Sequence, residues 1–310
     1  MPQCPAASDH SAEVSLSTLR LGIVGAGALG GALARLFVAR GVRVTAVAGR
    51  LAASAERVAR AVGAQAVSPS EAAGQSDLTI LAVPDDAVSG VATAIAQAGG
   101  WRAGSAVVHT SGALDTTVLA PASQAGALVG VLHPLQTVAD AEASLDALAS
   151  SAYGIEAEEP LLGLLEALVH RVGGRPLRIP GEARPLYHLA AALASNATVA
   201  LFAAAVDLLE RAGVPASDAG PALLPLLRGT VENLERGPVR ALTGAVARGD
   251  AGTVERHRRA LAETAPDLLG VYDGLARRMV ELALAKGSLD PEGAWKIREA
   301  LEQSGEPPCR

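Results

Sequence analysis

The sequence predicts an α/β protein, in which a doubly wound domain of strands and helices precedes an all-α C-terminal domain. Up to residue 180, short runs of apolar and β-branched residues alternate with helical patterns, as in a parallel sheet with crossover helices. Beyond it the patterns are long and helical, with breaks near Gly213, Gly237 and Gly249. We therefore predict a disordered tail over residues 1–18, the α/β domain over residues 19–181 and the helical domain over residues 182–310.

The composition indicates a folded chain with no affinity for nucleic acid. Hydrophobic residues make up 50% of the 310 positions and charged residues 19%, which is typical of globular proteins. The net charge of −6 disfavours nucleic acid, because proteins that bind it carry clustered basic surface. Only Cys4 and Cys309 are present, so we expect no disulfide framework and no metal site. Residues 1–18 lack the pattern of a signal peptide, and we predict a cytoplasmic protein.

Each predicted element follows from a local pattern. A β-branched strand at residues 21–24 leads through a glycine cluster into an amphipathic helix that ends at Gly41. Apolar runs without alternation, each closed by Gly or Pro, are typical of buried parallel strands, and they cover residues 77–84, 105–112 and 127–134. The other predicted elements are strands at residues 42–47, 151–157 and 175–180 and helices at residues 54–62 and 160–171.

Residues 186–209 are nearly all apolar and numerous enough to span a bilayer of about 30 Å. The segment also carries His188, Ser195 and Asn196, whose polar groups would be costly in lipid. We therefore predict a buried central helix of the second domain and no membrane span.

A glycine fingerprint predicts a dinucleotide site and makes the first domain a Rossmann domain. Gly25-x-Gly27-x-x-Gly30 follows a strand and opens a helix, where the glycines permit a tight turn and close approach of a pyrophosphate. The alternative is that they serve only the turn. The predicted cofactor-binding residues are Gly25, Ala26, Gly27, Ala28, Leu29, Gly30, Gly49, Arg50, Val83, Pro84, Ser111 and Gly112.

The end of the second strand favours NADP(H) over NAD(H). NAD sites usually place an acidic residue there for the ribose 2′-hydroxyl, but this chain has Gly49-Arg50 and no acidic residue between Val42 and Ala55. An arginine can pair bidentately with a 2′-phosphate. The alternative is that Arg50 is a solvated cation of the loop.

Six motifs identify a resemblance that covers most of the chain. GAGALG, VPDD, HTSGAL, HPLQT, YHLAAALASN and ALTGAVARGD occur in that order and resemble the proteins that join a Rossmann-like domain to DUF2520. One departure is Ala245, where the family usually has proline. The resemblance implies a 6-phosphogluconate-dehydrogenase-like architecture whose helical domain often forms a dimer. It also implies kinship with ketopantoate reductases, prephenate dehydrogenases and pyrroline-carboxylate reductases.

Two strand ends predict the catalytic groups. Ser111 and His133 follow neighbouring predicted strands, and ligands of open α/β sheets bind beyond such ends. His133 resembles the histidine of the H-P motif in prephenate dehydrogenases, which polarises the substrate oxygen, and Ser111 resembles the small hydroxyl residue that assists it. A histidine pKa near neutrality suits proton delivery to an alkoxide. The alternatives are a capping or core histidine and a turn serine.

The long helix offers a second proton donor. His188, Ala192, Ser195 and Asn196 have helical spacing and share a face. Related dehydrogenases place a lysine and an asparagine on the equivalent helix, but this chain has lysines only far downstream, so His188 is the candidate donor. The alternative is a satisfied core histidine. We predict that Asn196 is buried and is partnered by substrate or by a backbone group.

The last motif predicts substrate contacts at Asn233, Thr243 and Arg248. Arg248 with Thr243 would hold the carboxylate of a 2-oxo acid, or Arg248 would form a structural ion pair with Asp250. The whole set predicts a homodimeric, NADPH-dependent reductase of a small 2-oxo acid, with 2-ketopantoate as the first candidate. The alternatives are an imine reductase, a hydroxy-acid dehydrogenase, or a non-catalytic protein that binds or senses NADP.

Overall fold

A computed structural model of the chain describes residue 16, residues 18–140 and residues 145–302, so that the predicted tail over residues 1–18 lies almost wholly outside the described part. The chain divides into two units, Met1–Ser195 and Asn196–Arg310. This division lies beyond the boundary that we predict at residue 181, because the unit of the sheet also includes the first helix after it.

The first unit is built on one sheet of eight strands in the order β3-β2-β1-β4-β5-β6-β7-β8. The strands are β1 Arg20–Val24, β2 Arg43–Ala48, β3 Gln65–Ala66, β4 Leu78–Leu81, β5 Ala106–His109, β6 Leu128–Pro134, β7 Ala152–Ala157 and β8 Arg175–Arg178. The helices of this unit are α1 Ala28–Ala39, α2 Ala52–Val62, α3 Pro69–Gln75, α4 Asp85–Gln97, α5 Ala120–Gln124, α6 Leu145–Ala149, α7 Leu161–Val172 and α8 Arg184–Ala194.

The strand order confirms a doubly wound α/β domain. β2 and β3 lie on one side of β1, and β4 and the strands after it lie on the other side. β1 pairs in parallel with both β2 and β4. The strand order therefore reverses at β1, and such sheets bind ligands at this switch point. Every residue of β4 and β5 is buried, which explains why these strands are apolar without alternation.

One strand pair departs from the parallel sheet that the sequence predicts. β6 and β7 are antiparallel, and His133 lies opposite Gly154. A parallel pair would need a crossover connection, usually a full helix. The described part of the connection contains only α6, which has five residues, and α7 then makes the crossover from β7 to its parallel neighbour β8.

Four helices of the first unit, α3 to α6, lie where the sequence analysis names none. A capping box starts α3, in which the Ser68 hydroxyl accepts from the Glu71 backbone N–H and the Glu71 carboxylate accepts from the Ser68 N–H. α4 begins directly after Pro84, with Asp85 and Asp86 in its first turn, where carboxylates favour the positive end of the helix. Both starting signals are legible in the sequence.

The second unit is helical throughout its described residues, as predicted. Its helices are α9 Asn196–Arg211, α10 Ala216–Leu234, α11 Pro238–Ala241, α12 Ala251–Thr264, α13 Leu269–Lys286 and α14 Pro291–Glu302. The last three helices supply most of its core, including Val254, Val280 and Ile297.

The prediction of a buried central helix is wrong for the chain by itself. No residue of α9 is buried, and in α8 only Arg184 is. By length and composition the segment Gly181–Arg211 could cross a membrane, since an 18-residue window within it has a mean hydropathy of 1.9. None of that window is buried in the described part of the chain, so a nonpolar neighbour for this segment stays a prediction.

Candidate functional site

The glycine loop between β1 and α1 has the geometry that the fingerprint predicts. Gly25 has φ +115°, and a Cβ there would lie 2.1 Å from the Ala82 carbonyl oxygen. A Cβ on Gly30 would lie 1.8 Å from the Gly25 oxygen, so the helix can approach the strand only without a side chain. Around Gly27 there is no atom within 4 Å of an added Cβ. Gly27 therefore faces open space, as a phosphate-binding glycine does.

A cavity of about 340 Å³ opens at this loop. α1 begins there with no side-chain cap and no acidic residue in its first turn, so its backbone N–H groups are available to an anion. The cavity is lined by Ala26, Gly27, Ala28, Arg35, Ser54, Arg57, Val58, Ala139 and Asp140. Three polar side chains of α1 and α2 in this lining, Arg35, Ser54 and Arg57, are not among the predicted contacts. These residues fit the phosphates of a dinucleotide.

Arg50 follows β2 at the same end of the sheet and is exposed. A Cβ on the preceding Gly49 would lie 3.2 Å from the Ala26 Cβ, so the loop after β2 runs close against the glycine loop. Arg57, one helix further along the chain, lies in the cavity lining. The sequence missed Arg57 because the NADP argument used only the position directly after the strand.

Ser111 closes the turn that follows β5. Its Oγ accepts hydrogen bonds from the backbone N–H groups of Ala113 and Leu114, both at 3.2 Å. His109 is fully buried, accepts from the Ser111 N–H at Nδ1 (3.2 Å) and contacts the Asp115 carbonyl oxygen through Nε2 (3.0 Å). Burial lowers the pKa of His109, so a neutral ring donates to Asp115 and holds the turn. The alternative of a turn serine thus agrees with the contacts of Ser111, and a catalytic role of Ser111 stays a prediction.

His133 lies near the end of β6 and is held by a tyrosine. Its Nδ1 is 2.8 Å from the hydroxyl oxygen of Tyr187 on α8, and the two rings meet edge to face. A Cβ on Gly154, opposite His133 in the sheet, would lie 2.6 Å from that hydroxyl. The absence of a side chain at Gly154 therefore leaves room for the tyrosine.

The electrostatic surroundings keep the His133 ring neutral. Burial lowers its pKa from 6.5 to about 4, and the nearby His188 and Arg184 act in the same direction. The expectation of a pKa near neutrality is therefore wrong for the protein without ligands, because desolvation penalises the charged ring. Near neutral pH the free protein presents His133 as an imidazole.

His133 and His188 converge on Gly112. Their ring centroids are 6.2 Å apart, and a Cβ on Gly112 would lie 2.9 Å from Nε2 of His133 and 2.7 Å from Nδ1 of His188. His188 is exposed, so the alternative of a buried core histidine does not hold. Residues from β5, β6 and α8, distant in sequence, thus meet at one point beyond the carboxyl ends of the strands.

The predicted substrate contacts of the helical unit are all exposed. Asn196 starts α9 and is exposed, so its predicted burial on the helix of His188 is wrong, because that helix ends at Ala194. Asn233, Thr243 and Arg248 are exposed as well, and their substrate roles stay predictions.

The alternative ion pair between Arg248 and Asp250 is absent from the described residues. Asp250 instead caps α12, where its carboxylate accepts from the Thr253 backbone N–H at 3.0 Å and from its hydroxyl at 2.6 Å. The described residues also contain no group of three or more His, Cys, Asp or Glu side chains arranged for a metal.

Two residues of this site were missed by the sequence analysis. Tyr187 orients His133, and Arg184 is fully buried and donates from Nε to Glu156 Oε2 at 2.5 Å. With His188 they occupy positions i, i+3 and i+4 of α8, and so lie on one helix face. The available signal was an arginine and a tyrosine within four residues before a candidate histidine, at the start of an apolar helix.

In a comparison with known proteins, family models match both halves of the chain. Residues 5–134 match the family model of the Rossmann-like domain, and residues 151–279 match that of a domain of unknown function, DUF2520. No curated protein matches the sequence.

Solved structures share the fold over most of the chain. A Bacteroides fragilis protein assigned as an NADP oxidoreductase is 27% identical, with a TM-score of 0.70 over 86% of this chain and 100% of that one. A protein from Thermotoga maritima is 25% identical, with a TM-score of 0.71 over 86% and 99% of the two chains. A reductive aminase from Aspergillus terreus, in complex with NADPH and ethyl-5-oxohexanoate, is 22% identical, with a TM-score of 0.60 over 91% and 99%.

Proposed function

We propose that this chain, which belongs to the proteins that join a Rossmann-like domain to DUF2520 and is an NADP(H)-dependent oxidoreductase, reduces a small 2-oxo acid. The first substrate to test is 2-ketopantoate. The observation that carries this proposal is the convergence of His133 and His188 on Gly112. Two imidazoles beyond adjacent strand ends, in a sheet that binds a dinucleotide at its switch point, suit proton transfer beside a nicotinamide.

The cofactor and the residues of the site have separate roles in this reaction. NADPH, when bound, supplies the hydride that reduces the carbonyl carbon. The Tyr187 hydroxyl and Nδ1 of His133 are 2.8 Å apart, and we assign the hydroxyl as the donor, which places the proton of the neutral ring on Nε2, the nitrogen that faces Gly112. That Nε2–H donates a hydrogen bond to the carbonyl oxygen of the substrate and passes its proton as negative charge develops there, while the Tyr187 hydroxyl proton moves to Nδ1 and keeps the ring neutral. Tyr187 then regains a proton from solvent. His188, on the other side of Gly112, is the second donor.

Turnover against a substrate panel tests this proposal. We expect NADPH to be oxidised in the presence of 2-oxo acids, and the panel should include 2-ketopantoate, other branched 2-oxo acids and cyclic imines. The readout is NADPH absorbance, with NADPH affinity measured separately by fluorescence. A preference for cyclic imines would assign the alternative imine reductase activity. Tight NADPH binding without turnover of any compound would contradict an enzyme and favour the sensing alternative.

We also propose that the protein is a homodimer whose interface includes the exposed apolar helices, and that it resides in the cytoplasm. Large apolar side chains are exposed on these helices, and patches of this kind mark interaction surfaces. On α9 and α10 they are Val199, Leu201, Leu224, Leu226, Val231 and Leu234, with Val199 and Leu226 each 69% exposed. Leu186, Leu189 and Leu193 of α8 are exposed too. A second copy would cover this surface without the cost of placing the polar groups of the segment in lipid.

Substitution of two of these side chains tests the dimer. We expect the native protein to show about twice the chain mass of 31.1 kDa in light scattering, and the double variant Leu226→Asp/Val231→Asp to be a monomer, because two carboxylates would be desolvated at the interface. Trp295→Asp is the matched control, since Trp295 is 59% exposed on α14. A monomeric native protein, or one recovered only with membranes, would contradict the proposal.

A further inference from the structure

Arg184 is the most unusual charged residue of the first unit. Its side chain is completely buried, and its Nε donates to Glu156 on β7. Its two terminal nitrogens, Nη1 and Nη2, have no hydrogen-bond partner, and they are the only buried side-chain polar atoms without one in the described part of the chain. Four of the five N–H donors of this guanidinium are therefore unsatisfied.

A guanidinium buried in this state is costly to keep. Burying a charge without hydrogen bonds to all of its donors penalises folding, and native proteins rarely leave such groups unpaired. The Glu156 carboxylate neutralises the charge through Nε but leaves the planar fork of Nη1 and Nη2 open. That fork matches the two oxygens of a carboxylate, which it can bind with two parallel hydrogen bonds.

The position of Arg184 connects it with the histidine site. Arg184, Tyr187 and His188 share one face of α8, and Tyr187 binds His133 while His188 lies beside it. Burial lowers the pKa of His133 and raises the pKa of Tyr187, and the charge of Arg184 acts on both groups towards a lower pKa, as expected of a cation within the same cluster. The Arg184 side chain thus belongs to the same cluster as the proton donors.

We propose that Arg184 is the receptor for the anionic group of the substrate, a carboxylate that pairs with Nη1 and Nη2 while the reacting carbonyl lies between His133 and His188. This inference rests on the proposed function, in that it assumes a substrate at these histidines. It transfers the carboxylate contact from Arg248, where it is one of two alternatives that the sequence leaves open, to Arg184. Since less than 1 Å² of either terminal nitrogen is accessible, the carboxylate reaches them only when a neighbouring group moves aside.

The proposal has a consequence for substrate choice. A carboxylate at Arg184 would satisfy two of the four open donors and offset the positive charge beside His133, which makes protonation of that ring easier. An ester of the same acid would do neither. The protein should therefore prefer acids over their neutral esters or amides, unlike an enzyme that takes a keto ester.

The test compares 2-oxoisovalerate with its ethyl ester in the full-length protein. We expect the native protein to favour the acid over the ester by about 100-fold in kcat/KM, the scale of losing one partner of a buried charge pair. Arg184→Gln should remove most of this preference and Arg184→Lys should restore part of it, with the Kd of NADPH unchanged in both. Arg178→Gln is the matched control, because Arg178 forms an exposed ion pair with Glu166 away from the histidines.

A binding measurement separates failure of this inference from failure of the proposed function. Oxalate, which carries carboxylates but cannot be reduced, is titrated into the NADPH complex by calorimetry. Oxalate binding that depends on Arg184, without turnover of any 2-oxo acid, would support the receptor and overturn the proposed function. Turnover of the acid with an acid-to-ester ratio that Arg184→Gln leaves unchanged, or that only Arg248→Gln abolishes, would overturn the receptor. If Arg184→Gln does not fold, an equal kcat/KM for acid and ester in the native protein overturns it as well.

Discussion

Replacing His133 with glutamine is expected to lower kcat by about 10²–10⁴-fold, the contribution of a positioned general acid. Glutamine can still accept the hydrogen bond from Tyr187, which lies 2.8 Å from Nδ1 of the native ring, but its amide cannot pass a proton to the substrate oxygen. The Kd of NADPH should not change, since His133 is not in the lining of the glycine-loop cavity. The measurement is kcat at saturating NADPH, with the cofactor affinity from fluorescence.

The chain contains a matched control for this substitution. His257 in the helical unit also forms an imidazole–phenol pair, with Tyr272 at 3.0 Å, and is exposed. We expect His257→Gln to leave kcat unchanged. Tyr187→Phe should cause a smaller loss than His133→Gln, because it removes the positioning of the ring and leaves the ring in place. A normal kcat in His133→Gln together with a strong loss in His188→Gln would assign the proton donor to His188.

His133→Gln is also expected to change how the free energy of unfolding depends on pH. The pKa of His133 is about 4 in the folded protein, whereas its ordinary value is 6.5. Between these values the unfolded chain binds the proton and the folded chain does not, so the free energy of unfolding should rise with pH from about 4 to about 6.5. His133→Gln should lose part of that rise in denaturant titrations. His109, whose pKa is also lowered by burial, contributes to the rise in both proteins.

Selectivity for NADPH over NADH is expected to be about 100-fold or more, and Arg50→Ala should erase most of it. Charge-assisted hydrogen bonds contribute about 1.5–3 kcal/mol each, which is about 10–150-fold at 25 °C. Arg50 lies in the loop after β2, which runs close against the glycine loop. Arg57 lines the cavity, so Arg57→Ala should weaken NADPH binding too. The measurement is the Kd of both nucleotides by fluorescence titration.

Binding of NADH is the control for the selectivity between NADPH and NADH. Because NADH lacks the 2′-phosphate, Arg50→Ala should leave its Kd nearly unchanged while the Kd of NADPH rises. Arg60→Ala is the matched protein control, since Arg60 is exposed in the last turn of α2 and is not in the cavity lining. Equal affinities for the two nucleotides in the native protein would contradict the assignment of Arg50.

The site was only partly predictable from sequence. His133, His188 and Gly112 could be named because each stands in a motif and at the end of a periodic element. Tyr187 and Arg184 stand in one of the same motifs, but their importance comes from Nδ1 of His133 and from the carboxylate of Glu156, which lie on other elements. The pKa of His133 was misjudged for a related reason: burial sets it, and burial depends on side chains distant in sequence.

By itself the sequence determined most of the strands, the longer helices α1, α2 and α7, the glycine turn and the dinucleotide chemistry at that turn. These features follow from periodicity and from steric limits that act within a few residues, such as the positive φ of Gly25. Only the tertiary structure decided that β6 and β7 run antiparallel, that α9 is exposed and that a buried arginine lies beside the histidines. Those outcomes depend on which distant surfaces meet, and packing and burial settle that for the chain as a whole.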